Sequence, residues 1–278
     1  DFPSADWDVV VRAFVMAGKS RRWVFHSHGY SHMENLDLEH ALGDCDAAVL
    51  LPGAEPFPDH LVKALRRPSR PVVVLAQDSG QPEASHVFMN DRRIGRMAAG
   101  HLLELGHRRI GVLIDQPPTT TTLQRMEGWR DAMRDAGIED LFPLILDAGV
   151  QPYQDPLKAC HRFLEREFGQ RTPDLTAIFT TSSVGAISTL SWLRTQGIRV
   201  PGDLSVLAYC GEAGIAPFLA PALSGIEIDI TEFGNAVADL LDDYLEDPAR
   251  PARQVELHPH MVKRQSVAGP AAHMAEAR

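Results

Sequence analysis

Cysteine is scarce in this sequence, and none of it falls at metal-ligand spacing. Cys45, Cys160 and Cys210 are the three cysteines in 278 residues. An odd number at wide separations fits buried thiols in a reducing cytoplasm rather than a disulfide framework. Long apolar runs are missing as well. None approaches the ~20 residues that cross a bilayer, so no membrane association is expected. The first residues carry no signal-peptide pattern, although Asp1 is not a native start. Positive charge is in deficit: 27 Lys and Arg stand against 37 Asp and Glu, a formal net charge of −10. Phosphate backbones are gripped by basic faces, so this stretch of chain is not expected to bind nucleic acid by itself.

Catalytic signatures are absent too. No G-x-G-x-x-G follows an expected strand, and there is no Walker A loop and no G-x-S-x-G elbow. The carboxylates fall mostly on expected helix faces, where they read as solvated surface. Neither an enzyme nor a cofactor is expected. With 44% hydrophobic and 23% charged residues, the chain reads as a soluble globular protein with core enough for one large domain or two lobes.

Its organising stretch is NDRRIGRMAAGHLLELGHRRIGVLID, residues 90–115. Ile94, Met97, Ala98, Leu102 and Leu105 form one helical stripe, and Gly106 sits where a helix C-terminus favours glycine. A basic turn, His107-Arg108-Arg109, reads as solvated. The apolar run 110–114 is too short for a helix and does not alternate, so it predicts a strand buried on both faces, as in a parallel sheet. Helix, glycine and strand make half of a βαβ unit, and the chain repeats this pattern.

In order, the spacing predicts a first helix capped by Ser4, with Trp7, Val10, Val11 and Phe14 on its apolar stripe and Gly18 at its end. Strands follow at 23–25, 47–51, 72–75 and 87–89, with helices at 33–42 and 59–66. Beyond 116–122, a Thr-rich loop, come helices at 123–136, 155–168 and 184–196, and strands at 144–146, 177–180, 204–209 and 226–228. A long amphipathic helix at 231–245 and short strands at 255–257 and 261–262 close the fold. Alternating strands and helices with short loops predict parallel sheets with right-handed crossovers. Lys263-Arg264, two charges at a strand end, reads as surface. The polar pair Gln77-Asp78 stands at a strand end, where α/β folds bind ligands. Asp91 is either another such residue or the N-cap of the helix after it.

Several segments, in this order and spacing, resemble one family. They are HLLELGHRRIGVL at 101–113, Arg125-Met126-Glu127-Gly128-Trp129, PDLTAIF at 173–179, GIRVPGDLSV at 197–206, Pro221-Ala222-Leu223 and Val262-Lys263-Arg264-Gln265-Ser266. Together they resemble the effector-binding domain of LacI-type transcription regulators over nearly the whole chain. The helix-turn-helix and hinge helix of such regulators are not in this stretch. The resemblance implies an α/β fold of the periplasmic-binding-protein type, two Rossmann-like lobes with parallel sheets crossed three times by the chain. The lobes would comprise residues 1–89 with 229–258 and residues 90–228 with 259–267, leaving 268–278 as a tail. A strand before Asp1 is also implied.

The same resemblance implies a small-molecule effector (sugar, nucleoside or small organic acid) in the cleft, a cytoplasmic homodimer, and operator DNA bound only through a part outside this chain. Exposed apolar residues on 33–42 and 59–66 would support the dimer. The alternative is the solute-binding protein of a transporter. The missing signal pattern, the cysteines and the closing 262–266 segment favour the regulator.

Candidate ligand residues come from both sources. His26 and His28 would share a face if 23–28 were extended, as a metal pair or as cleft-edge hydrogen-bonding groups. The resemblance favours the second role and no metal. Trp7 lies where the family stacks an aromatic on its effector, and it also continues the helix stripe. Asp6 beside it would face the cleft. Thr121, Ser182 and Ser183 would supply hydroxyls, and Tyr209 and Cys210 occupy a strand end. Departures matter as well: Leu123 replaces the family's arginine, Ser182-Ser183 its Asn-Asp pair, Cys210 its acidic residue and Ile228 its polar residue. Charge-assisted grips on sugar hydroxyls are thereby lost. A less charged, more apolar cleft is expected, with an effector other than an ordinary sugar or none.

Overall fold

A computed structural model describes residues 5–52, 57–75, 84–151, 154–169, 174–211 and 214–270, with the side chains of 5–9 excepted. The chain divides into two compact units, residues 1–90 with 228–258 and residues 91–227 with 259–278.

Unit 1 carries a four-stranded parallel sheet in the order β1 (Ala48–Leu50), β2 (Val72–Leu75), β3 (Ser85–Met89), β9 (Gln254–Leu257). Its core joins Leu50, Val72 and Val74 to Leu38 and Leu42 of α2 (Leu38–Leu42) and Leu61 and Leu65 of α3 (Asp59–Arg66). The expected helix at 33–42 is broken at Leu36, whose extended backbone separates a 3-10 turn at Met33–Asn35 from α2. Asp37 then caps α2 by accepting from the His40 N–H. The apolar residues of 33–42 and 59–66 are not the exposed set that the dimer expectation required. Met33, Leu36, Leu38, Leu42, Leu61 and Leu65 all lie in this core.

Helix α1 (Ala5–Lys19) runs past Gly18 and packs on α8 (Ile230–Glu246). The helices approach so closely that a Cβ on Gly234 would lie 2.6 Å from the Ala13 carbonyl oxygen. The strand expected at 23–25 does not form. Trp23 and Phe25 instead turn onto Phe14, with centroids at 6.0 and 5.2 Å, while Val24 between them is exposed. Aromatic packing on α1 takes the place of sheet pairing.

Unit 2 carries a six-stranded sheet in the order β10, β8, β7, β6, β4, β5. Strands β4 (Ile110–Ile114), β5 (Ile145–Asp147), β6 (Ala177–Thr180), β7 (Ser205–Gly211) and β8 (Ser224–Glu227) are parallel. β10 (His260–Val262) runs antiparallel at the edge, a departure from the all-parallel expectation. Central β4, β6 and β7 are buried along their whole length, as their continuous apolar runs require.

Helices α4 (Asp91–Glu104), α5 (Thr120–Asp135), α6 (Pro156–Phe168) and α7 (Ser183–Thr195) cover this sheet. Gly106, at φ 95°, ends α4 and lets the His107 N–H reach the Leu102 carbonyl at 3.1 Å. α5 starts three residues earlier than expected, because Thr119 caps it by accepting from the Thr122 N–H. The two ends of unit 2 are tied by Ser266, which accepts from the Ser224 N–H at 2.8 Å and donates to the Val206 carbonyl at 2.6 Å. Two basic sites differ from expectation. His107 is buried, with Nε2 donating to the Ala268 carbonyl at 2.7 Å and Nδ1 2.9 Å from Thr176 Oγ1. Burial lowers its pKa and favours the neutral ring. Arg264 forms a largely buried ion pair with Glu227 and donates to the Leu223 carbonyl; only Lys263 of that pair lacks such burial.

Candidate functional site

In a sheet with helices on its faces, the carboxyl ends of parallel strands form the crevice where ligands bind. At those ends of β4, β6 and β7, unit 2 holds a cluster of buried polar side chains that includes Asp91, Asp115, Arg125, Thr181 and Ser182. The first centre is Arg125, in the second turn of α5. Its Nε donates to Asp91 Oδ1 at 2.7 Å and its Nη1 donates to the Thr181 carbonyl at 2.8 Å. The Tyr209 ring lies under the guanidinium, 3.7 Å from its carbon. A guanidinium held in plane by two acceptors and stacked on an aromatic face is fixed in position.

Helix packing makes this geometry. A Cβ on Gly95 would lie 1.9 Å from the Arg125 carbonyl oxygen, and one on Gly128 1.8 Å from that of Arg92. Two glycines thus let α4 and α5 cross backbone to backbone. That crossing brings the first residue of α4, Asp91, within reach of α5. Asp91 is therefore an ion-pair partner and not the N-cap. Burial pushes its carboxyl above the ordinary range, and the Arg125 charge and hydrogen bond pull against that shift.

Asp115, one residue beyond β4, is the second centre. It is fully buried and accepts from Thr181 Oγ1 at 2.5 Å, Ser182 Oγ at 2.5 Å and the Gly185 N–H at 2.6 Å. Desolvation raises its pKa to about 6 against the pull of these donors. Ser182 also caps α7, accepting from the Val184 N–H at 3.2 Å. The Cys160 thiol of α6 lies 3.9 Å from the Asp115 carbonyl, and burial raises its pKa, as does the Asp115 charge. Thr181 joins the two centres through its carbonyl and its hydroxyl, so Asp91, Arg125, Thr181, Asp115 and Ser182 form one connected network.

The residues anticipated from sequence divide unevenly. Asp91, Ser182 and Tyr209 belong to this network. Ser183, half-buried, is the first residue of α7. Thr121 lies in α5 and not in a loop, its hydroxyl 2.9 Å from that of Thr119. Cys210 is buried, with its sulfur packed over Gly225, where a Cβ would lie 2.3 Å from it. That contact is backbone packing between β7 and β8, beside their irregularity at Tyr209/Gly211. His26 and His28 are exposed in unit 1 and not on a strand, so the shared strand face expected of them does not exist. The His28 ring lies 6.4 Å from that of His40. No group of three His, Cys, Asp or Glu suited to a metal occurs among the described residues. Asp6 and Trp7 lie in α1, but their side chains fall outside the described residues, as do Gln77 and Asp78 altogether. Leu123 is exposed and Ile228 buried.

Sequence reasoning missed Arg125, Asp115 and Thr181 as members of the site. For Asp115 a signal existed: it is the first polar residue after an apolar strand, the same sign that singled out Gln77-Asp78. Arg125 stood only inside a family segment, with nothing local to link it to a partner 34 residues away.

Residues 99–267 match the family described as periplasmic binding protein-like domain. The chain is 26% identical over 202 residues to the HTH-type transcriptional repressor PurR of Photobacterium profundum, covering 73% of this chain and 58% of that protein. It is 28% identical over 210 residues to the HTH-type transcriptional regulator CelR of Thermobifida fusca, covering 75% and 60%. The chain thus spans well under two thirds of the length of these curated relatives. Among solved structures, a transcriptional regulator CelR–cellobiose complex superposes with a TM-score of 0.77 at 25% identity, over 96% of this chain and 80% of that one.

Proposed function

Because this chain belongs to the periplasmic binding protein-like domain family, as an effector-binding domain of the LacI type, we propose that it senses a small molecule on behalf of a transcription regulator. The carrying observation is the buried network of Asp91, Arg125, Thr181, Asp115 and Ser182 at the strand ends of unit 2. A buried polar network costs stability unless fully satisfied. Its concentration at the ligand-binding end of the sheet supports a binding role. Tyr209, Ser183 and Thr121 belong to that role as residues beside the network. Asp6, Trp7, His26, His28 and Cys210 remain ligand-residue candidates on the resemblance alone, and Gln77 and Asp78 on their place after an expected strand.

Acting by population shift, an effector must bind one conformation of the chain better than another. Regulated operator DNA would be contacted by a helix-turn-helix outside this chain, in keeping with the net charge of −10. Homodimerisation and a cytoplasmic setting complete the proposal. Among the described residues, no helix is long and apolar enough to cross a membrane. A transporter's solute-binding protein is the less favoured reading, since the curated relatives are HTH-type regulators.

Thermal unfolding against sugars, nucleosides and small organic acids tests the sensor. A ligand that binds only the folded state should add roughly 2.7 kcal/mol at 100 times its Kd. Arg125→Met should abolish that gain. A stabilising compound whose effect survives Arg125→Met would place its site elsewhere. Sedimentation at several concentrations tests the dimer, and a monomer throughout would remove it.

A further inference from the structure

We propose that Asp115 sets the charge class of the effector: its carboxylate fills the anion-binding position at the start of α7, so the site takes a neutral, hydroxyl-bearing ligand and rejects phosphorylated or carboxylated ones. The proposal deepens the sensor reading and rests on it.

The start of a helix, with its unpaired N–H groups, is where phosphates and carboxylates settle in α/β folds. Here that position is already taken. The Gly185 N–H points at Asp115 Oδ2 at 2.6 Å, and the two hydroxyls of the β6–α7 turn, Thr181 and Ser182, donate to the same carboxylate at 2.5 Å each. These are the donors a ligand phosphate would use.

The fit is specific to this pair of residues. A Cβ on Gly185 would lie 2.1 Å from Asp115 Oδ2 and 2.6 Å from its carboxyl carbon. Any side chain at 185 would expel the carboxylate. Asp115 and Gly185 therefore act as one device, brought together from 70 residues apart.

The nearby cation is committed as well. Arg125 is engaged by Asp91, by the Thr181 carbonyl and by the Tyr209 ring. Arg125 supplies one positive charge, against two carboxylates. A ligand anion arriving there would meet a buried like charge and no uncommitted partner in the network. A ligand hydroxyl adds no charge, so it escapes that repulsion.

The test is thermal unfolding of the wild-type chain, Asp115→Ala and Asp115→Asn, each with inorganic phosphate or with chloride at matched ionic strength. Phosphate should leave the wild type and Asp115→Asn unshifted, because a group of the same shape fills the position. Asp115→Ala, folded by circular dichroism, should gain a phosphate-specific rise of several degrees. Should Asp115→Ala not fold, Asp115→Ser vacates most of the position while keeping a polar partner for the hydroxyls, and it should gain the same rise.

A wild type stabilised by phosphate as much as the alanine variant, or a folded variant that gains nothing, would overturn the proposal. Running neutral sugars beside their phosphates on the wild type separates the two readings. If a sugar phosphate stabilises better than its parent sugar, the charge rule falls and the sensor stands. If nothing in that panel stabilises the wild type while Asp115→Ala gains phosphate binding, the filled position stands and the sensor reading loses its support.

Discussion

Replacing Gly128 by alanine sets helix propensity against packing, and the structure says packing wins. In an open helix, glycine to alanine stabilises by roughly 0.8–1 kcal/mol. At position 128 the new Cβ would lie 1.8 Å from the Arg92 carbonyl oxygen, and real Cβ atoms essentially never approach within 3.0 Å. The obstacle is backbone, so no rotamer change relieves it, and α4 and α5 must part by roughly 1 Å or more. Overpacking of that kind costs about 1–3 kcal/mol. Parting the helices also stretches the 2.7 Å bond from Arg125 to Asp91 beyond hydrogen-bonding range. Breaking a buried ion pair costs about 3–5 kcal/mol when complete. A net destabilisation of roughly 3 kcal/mol is expected, read as a lowered urea midpoint by circular dichroism. Gly100 of the same α4 is the control, since a Cβ there meets nothing within 4 Å. Gly100→Ala should stabilise by up to about 1 kcal/mol. A Gly128→Ala protein as stable as the wild type would refute the reasoning.

Three further outcomes follow from the buried charges and thiols. Asp115 has a folded pKa of about 6 against an ordinary 3.8, so its protonated form favours folding. The stability it contributes is full below pH ~4 and is lost as pH rises through about 6. Urea titrations of wild type and Asp115→Asn should therefore diverge by roughly 2 kcal/mol between pH 4 and 7, at ~1.4 kcal/mol per pKa unit; parallel profiles would contradict the raised pKa. Arg125→Met leaves Asp91 buried without its countercharge and should cost about 3–5 kcal/mol at pH 7, with part regained in Asp91→Asn/Arg125→Met. Iodoacetamide should alkylate half-buried Cys45 first and leave buried Cys160 and Cys210 unmodified until the chain unfolds; equal labelling of all three would refute the burial.

Local pattern was a reliable guide wherever burial was continuous. The runs at 72–75, 110–114 and 177–180 form β2, β4 and β6 with unchanged limits, and α3 likewise spans 59–66. A strand buried on both faces must be apolar at every position, and that is visible in the residues themselves. At 23–25 a short apolar run misled, because Trp23 and Phe25 found Phe14 instead of a neighbouring strand. Charge was misread for a related reason. Basic residues are usually solvated, yet His107 is buried and Arg264 largely so, held by partners supplied from distant segments, Ala268 and Glu227.

By itself, then, the sequence determined the alternation of strands and helices, the end of α4 at Gly106 and the closely spaced family segments, since each depends on residues only a few positions apart. Tertiary structure alone decided the candidate site. Asp115 meets Gly185 and Ser182 because β4 and β6 are sheet neighbours, and Asp91 meets Arg125 because two glycines let α4 and α5 touch. Periodicity carries no information about which distant donor will reach a buried carboxylate; sheet order and helix crossing do.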